Sequence, residues 1–402
     1  MSARDAVEHT LRAWNRHELD RGAPAVIDFD FLPPEDDPPT PADRLTTFER
    51  LSALTAEVRD PAVLKRITAD LAYLRALMGE RPPLDVYIRA TQGCSAAGWP
   101  TEYVTAKGEQ ARACLDALGI GWGETTFTDL AQAEGHIDVD AAPDAIRQAA
   151  AEYEPAVRRM TGSSAPYELT VETTSVDAYW AYWLDGAGQQ VRLRLNVRNA
   201  TFTKVQVRQF ALHEVLGHGL QSASIATRCQ TEDVPWVRLS SVHGPQQVLL
   251  EGLAQAMPLF VSPDDEALIS RVRIDHYLQL VRAELHLAIN AGTPIEECVR
   301  HARQRVPWWS NDRIAGTLTD RSTDPLLRTY MWAYVAGIDW FANLAEADSA
   351  RIGQVVQAAY QAPLTPADLE ALWPQGPTIG GPRKQPQLGS PEARHRMANR
   401  AG

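Results

Sequence analysis

The sequence predicts a mainly α-helical fold of the α+β class, with a small antiparallel β-sheet and a central cleft. Three observations carry that expectation. Apolar residues recur at helical spacing through most of the chain. One stretch, "YELTVETTSVDAYWAYWLDGAGQQVRLRLNV", alternates instead and contains the turn signal "DGAG". The 402 residues are 45% hydrophobic, enough for a large buried core.

In chain order, the first 30 residues read as a helix followed by an irregular entry, and the Pro-rich acidic "LPPEDDPPTPADR" is barred from any helix interior. Helical segments follow at 42–60, 61–79, 103–117 and 141–160, rich in good helix formers. The Gly- and aromatic-rich loops "TQGCSAAGWPTEY" and "GIGWGETTF" lie between them. Residues 1–160 are therefore expected to form an N-terminal helical lobe. Two or three antiparallel strands ending near Asn196 open a second region, 161–371, which is helical again from about residue 201. Residues 372–402, polar and rich in Gly and Pro, read as a flexible tail.

The formal net charge is -12, from 39 basic and 51 acidic residues without a long basic block, which argues against nucleic acid as a partner. No segment approaches the roughly 18–20 apolar residues of a membrane helix, and the start lacks a signal-peptide core. A soluble, cytoplasmic protein with no membrane partner is expected. Cys94, Cys114, Cys229 and Cys298 form no C-x-x-C pair, so reduced and mostly buried thiols are expected.

The chemistry concentrates in "RQFALHEVLGHGLQ", which holds His213, Glu214 and His218. This is the zinc-helix pattern H-E-x-x-H with one residue too many. Residues five apart on a regular α-helix diverge by about 140°, against about 40° for four apart. A single π-turn would restore both rings to one face, and such turns recur at functional sites. Gly217 sits inside the widened turn, where a missing Cβ is least costly. A zinc hydrolase needs a third protein ligand. Glu251, in "PQQVLLEGLAQAM", is a carboxylate amid Val248, Leu249, Leu250, Leu253 and Ala254, and burying it without a cation would be costly.

The pair "HEVLGHGLQ" and "LLEGLAQA" resembles the gluzincin class of zinc metallopeptidases. The H-E-x-x-G-H spacing is that of the dipeptidyl peptidase III family. Over residues 165–345 the chain is similar to the bacterial family called domain of unknown function 885, whose pattern is H-E-x-x-P-G-H-x-x-Q, then E-G-W-A, then a Y-x-x-G helix. Gly217, His218 and Gln221, then Glu251, Gly252 and Ala254, then Tyr334 and Gly337 carry that similarity. The first motif here is one residue shorter, Leu253 replaces Trp, and Pro258 stands where an acid is frequent.

On physical grounds His213, His218 and Glu251 would hold one Zn2+, and Glu214 would act as general base and acid. A second electrophile is expected at Tyr334, with Tyr330, Arg328 and His286 as further candidates. Asn196 would end a strand able to pair with an extended substrate, and His243 would line the pocket. The expected substrate is a short peptide or small amide, cleaved by a hydrolase. Alternatives are a zinc-dependent tailoring enzyme acting on a small molecule, or a retired metallopeptidase-like binding protein. For each residue a structural role competes: satisfied core histidines, a buried ion pair at Glu251, packed aromatics at Tyr330 and Tyr334.

Overall fold

The helices expected at 42–60, 61–79, 103–117 and 141–160 occur at Arg44–Glu57, Pro61–Leu77, Thr101–Ala117 and Ala142–Thr161 in a computed structural model that describes residues 2–34, 39–177 and 181–382. Their starts follow local chemistry. Asp43 caps the first by accepting from the Thr46 amide, and Asp60 caps the second from the Ala62 amide, with Pro61 in its first turn. The fold is mainly α with a small sheet. No helix among the described residues is long and apolar enough to cross a membrane.

Seven short strands occur among the described residues: β1 (Phe29–Asp30), β2 (His136–Ile137), β3 (Glu168–Thr174), β4 (Tyr182–Ala187), β5 (Gln190–Asn196), β6 (Phe202–Thr203) and β7 (Leu239–Ser240). β2 pairs with β6, and the others form one sheet in the order β3-β5-β4-β1-β7. The expected hairpin is β4–β5, with Leu184 opposite Leu193 and Gly188 at φ 58° in the connecting turn, a conformation that a Cβ disfavours.

The sheet is mixed rather than wholly antiparallel: β3 runs parallel to β5, and β1 parallel to β4. Alternation reports which face of a strand is buried, and it carries no information on the direction of a neighbour. β1 also lies within the stretch expected to be an irregular entry.

Three helices converge around His213, His218 and Glu251. The histidine helix runs as an α segment Lys204–Phe210, a π segment Ala211–Gly219 and an α segment Leu220–Thr231. Thr203 and Gln206 form a reciprocal cap at its start, and the Thr203 hydroxyl also donates to Glu134, itself held by Arg271. The glutamate helix, Gln247–Val261, is buried from Gln247 through Pro258, so every polar group on it needs a partner inside the protein. The tyrosine helix, Pro325–Leu344, crosses it.

That crossing is backbone on backbone. A Cβ placed on Gly252 would lie 2.4 Å from the Gly337 Cα, and one on Gly337 would lie 2.5 Å from the Gly252 Cα and the Val248 carbonyl. Around it, Leu212, Val215, Leu216, Leu253, Trp332 and Phe341 join one large hydrophobic cluster. Each fully buried aliphatic side chain of this kind contributes about 1.5–3 kcal/mol. Trp14, Leu51, Ile67 and Leu74 form a second cluster, closed by Val237 and Leu239. After the helix Pro366–Leu372 the chain stays packed, with Ile379 buried and the Gly98 amide donating to the Gly380 carbonyl at 3.3 Å. The rest of the expected tail, 383–402, lies outside the described residues.

Gly337→Ala should lower stability by about 3 kcal/mol, because two backbones would have to separate. Gly353→Ala, on a helix where an added Cβ meets nothing within 4 Å, should instead add about 0.5–1 kcal/mol. Urea midpoints of the two variants against the parent check both signs.

Candidate metal centre

The extra residue between the two histidines is absorbed where the spacing requires it. The segment Ala211–Gly219 is π-helical, and His213 and His218 project from one face with their Nε2 atoms 3.2 Å apart. A Cβ on Gly217 would lie 2.8 Å from the Ala254 Cβ and 2.9 Å from the Leu212 carbonyl, so this position admits no side chain. The Tyr360 hydroxyl donates to the Leu216 carbonyl at 2.6 Å, satisfying a backbone acceptor within the irregular turn.

Glu251 comes to the same point from the glutamate helix. Its Oε2 lies 3.5 Å from His213 Nε2 and 3.7 Å from His218 Nε2, too long for direct hydrogen bonds. Oε2 accepts no hydrogen bond among the described residues. A triangle with edges of 3.2, 3.5 and 3.7 Å has a circumscribed radius of about 2.0 Å, so one point lies within about 2.0–2.2 Å of all three atoms. That is the range of Zn–N and Zn–O bonds, and edges near 3.4 Å are those of a tetrahedron built on bonds of about 2.1 Å. The donor set therefore fits a zinc ion.

Burial and charge oppose each other at these groups. Burial alone would raise the Glu251 carboxyl, but the two imidazoles outweigh burial and hold it well below the usual carboxylate range. Burial would lower His218, and the nearby Glu251 reverses this and raises it. Glu214, with Oε1 3.6 Å from His213 Nε2, is pushed up by burial.

The tyrosine helix supplies a hydroxyl chain. Tyr330 donates to Glu251 Oε1, and Tyr334 donates to the Tyr330 hydroxyl at 3.1 Å. Burial, reinforced by Glu251, lifts both phenols well above their ordinary value, so both remain proton donors. Tyr330, ranked behind Tyr334 from sequence, is the one that touches the carboxylate. A pocket with a cavity volume of about 180 Å³ opens beside these groups. Glu214, His218, Glu251, Tyr330 and Tyr334 lie on its wall.

Four expected pocket residues sit elsewhere, each tied into the fold. Asn196 is buried and holds the Val176 backbone, its Nδ2 donating to the Val176 carbonyl at 3.0 Å. Its strand, β5, is flanked by β3 and β4 and has no edge to offer an extended substrate; the strands bordering the pocket are β4, through Tyr182, Trp183 and Leu184, β1, through Phe29, and β7, through Ser240. Arg328 donates to Asn290 and to the Pro82 carbonyl and lies over the Tyr87 ring. His286 is buried against Trp332. His243 faces Asp70, with Nε2 2.8 Å from Oδ1, and stacks on Tyr73. The four cysteines are free, and Cys94 is buried with its thiol pushed up by desolvation.

Sequence reading missed Asp28, Tyr182, Trp183 and Gln247, all on the pocket wall. For Asp28 a signal existed. In "VIDFDFL" the acids alternate with aromatics, and Phe29 and Phe31 are buried on one face while Asp28 and Asp30 take the other. Asp30 pairs with Arg12, and burial pushes the Asp28 carboxyl up to about 8, with Arg66 opposing and Glu251 adding to the rise.

No family model and no curated protein matches this sequence. Among solved structures, the chain is similar to one described as a "putative lipoprotein from Colwellia psychrerythraea", with a TM-score of 0.51 and 13% identity over 81% of this chain. This chain spans 58% of the length of that protein. At such identity the likeness concerns the fold.

Burial holds His243 below its ordinary value of 6.5 despite the pull of Asp70. An unfolded chain takes up this proton as pH falls through about 6.5 and the folded chain resists it. The contribution of His243 to stability is therefore complete above about 6.5 and lost as pH falls toward its depressed folded value. Urea midpoints measured between about pH 7.5 and pH 5.5 should decline less steeply in His243→Gln than in the parent.

Proposed function

We propose that the protein is a zinc-dependent hydrolase of the gluzincin type that cleaves peptide or amide bonds in short substrates. The observation that carries this reading is the convergence of His213 Nε2, His218 Nε2 and Glu251 Oε2 on edges of 3.2–3.7 Å, with Glu214 beside them. A zinc ion held there would supply Lewis-acid polarisation of a carbonyl and a lower pKa for water. The motif resemblance to the domain of unknown function 885 family, carried by Gly217, His218, Gln221, Glu251, Gly252 and Ala254, is consistent with the same chemistry.

The chain's own residues divide the remaining work. Glu214, raised by burial, accepts a proton from the attacking water and delivers it to the departing nitrogen. Water adds to the carbonyl carbon, the C–N bond breaks, and the products are a carboxylic acid and an amine. The Tyr334 hydroxyl would exchange its bond to Tyr330 for one to the carbonyl oxygen as negative charge develops. Tyr330 orients Glu251 through the hydroxyl that it donates to Oε1. A cavity of about 180 Å³ favours small amides and short peptides over long chains.

Metal analysis of the protein should find one zinc per chain, and hydrolysis of a mixed peptide library should stop on chelation. Glu214→Gln should keep the zinc and lose about 10²–10⁴ in kcat. Tyr330→Phe should weaken zinc about 10–100-fold. A protein that takes up no metal, or a Glu214→Gln variant that is fully active, would overturn the reading.

A further inference from the structure

The pocket beside the metal centre carries three carboxylates on its wall, Asp28, Glu214 and Glu251, and neither lysine nor arginine among its lining residues. Two of the three have roles in the proposed chemistry. Asp28 has none, yet it is held as firmly as the others. Its amide donates to the Ser240 carbonyl at 3.0 Å and its carbonyl accepts from the Gly186 amide at 3.2 Å, so strands on both sides fix its main chain. Its Oδ2 accepts from Gln247 Nε2 at 3.2 Å, and Gln247 stands one helical turn before Glu251. Its Oδ1 accepts no hydrogen bond among the described residues.

Arg66, the strongest of the cationic groups whose field reaches Asp28, is already engaged. Arg66 binds Asp70 through Nε at 3.0 Å, donates to Ser241 Oγ at 2.6 Å and to the Leu239 carbonyl, and is not on the pocket wall. A carboxylate placed among apolar groups without its own cation is costly, and an incoming cation removes that cost. The surrounding walls suit one. Tyr182 and Trp183 offer aromatic surface, which attracts ammonium groups, and Leu326 and Leu327 offer aliphatic surface. Apart from the metal centre itself, the same lining offers a ligand's carboxylate no guanidinium or ammonium group.

We infer that Asp28 anchors the ammonium group of the substrate, so that the pocket selects small amides or short peptides carrying a free amino group and an apolar side chain. This rests on the metal-hydrolase reading only for the reaction that follows binding. The recognition itself is a charge-assisted hydrogen bond from the ammonium to Asp28, seated in aromatic surroundings.

The test is calorimetric titration of the full chain in a Glu214→Gln background, which blocks turnover, with leucinamide, N-acetyl-leucinamide and 4-methylpentanamide. Leucinamide should bind at least about tenfold more tightly than the two analogues that lack the ammonium. Asp28→Asn preserves shape and the bond from Gln247 and should abolish that difference, and Asp28→Ala should do the same. Equal affinities in the parent, or a preference that survives both substitutions, would overturn the inference. Zinc-dependent hydrolysis without an amine preference would refute this inference and leave the hydrolase reading standing. An Asp28-dependent amine preference in a chain that binds no zinc would do the reverse.

Discussion

A carboxylate that is 3% exposed, on a helix buried from Gln247 through Pro258, sets the terms for the rest of this structure. Glu251 can be ionised there only if other groups replace the water it has lost. Tyr330 serves Oε1 from one side, and the two imidazoles face Oε2 from the other. The histidine helix, the glutamate helix and the tyrosine helix must therefore meet at one point, and each carries a local device that lets it do so.

Those devices are all relaxations of ordinary helix geometry. The π-turn rotates His213 and His218 onto one face, at the expense of backbone acceptors that outside groups such as Tyr360 must satisfy. Gly217 lets that turn settle against Ala254 of the glutamate helix. On the opposite side, Gly252 and Gly337 remove the Cβ atoms that would hold the glutamate and tyrosine helices apart. Without this close approach the Tyr330 hydroxyl would not reach Glu251. The same residues that make the helices pack also bring the polar atoms into register, so packing and site chemistry are one constraint here.

The sheet contributes at the far wall of the pocket. β1 and β4 run parallel, and this pairing carries Asp28 from the first 30 residues to a position facing chemistry built from residues 213–334. The wall of this pocket holds acids, phenols and aromatic rings together. Its two polar poles are built differently: one from helices that cross, the other from strands that pair.

How far the sequence reached depended on whether a local cue existed. The histidine pair with its extra residue, and a glutamate in the middle of an apolar run, are contradictions visible in one dimension, and each pointed to its own resolution. The mainly helical class was legible because the 3.6-residue period is a property of neighbours along the chain. Asn196, Arg328, His286 and His243 were not separable from site residues, because a polar side chain tied into the core and one facing a pocket have the same composition and spacing. Strand direction, the partner of each buried polar atom and the arrival of Asp28 at the pocket were decided by tertiary structure alone. They depend on which surfaces meet across long separations in the chain, and no local period encodes that.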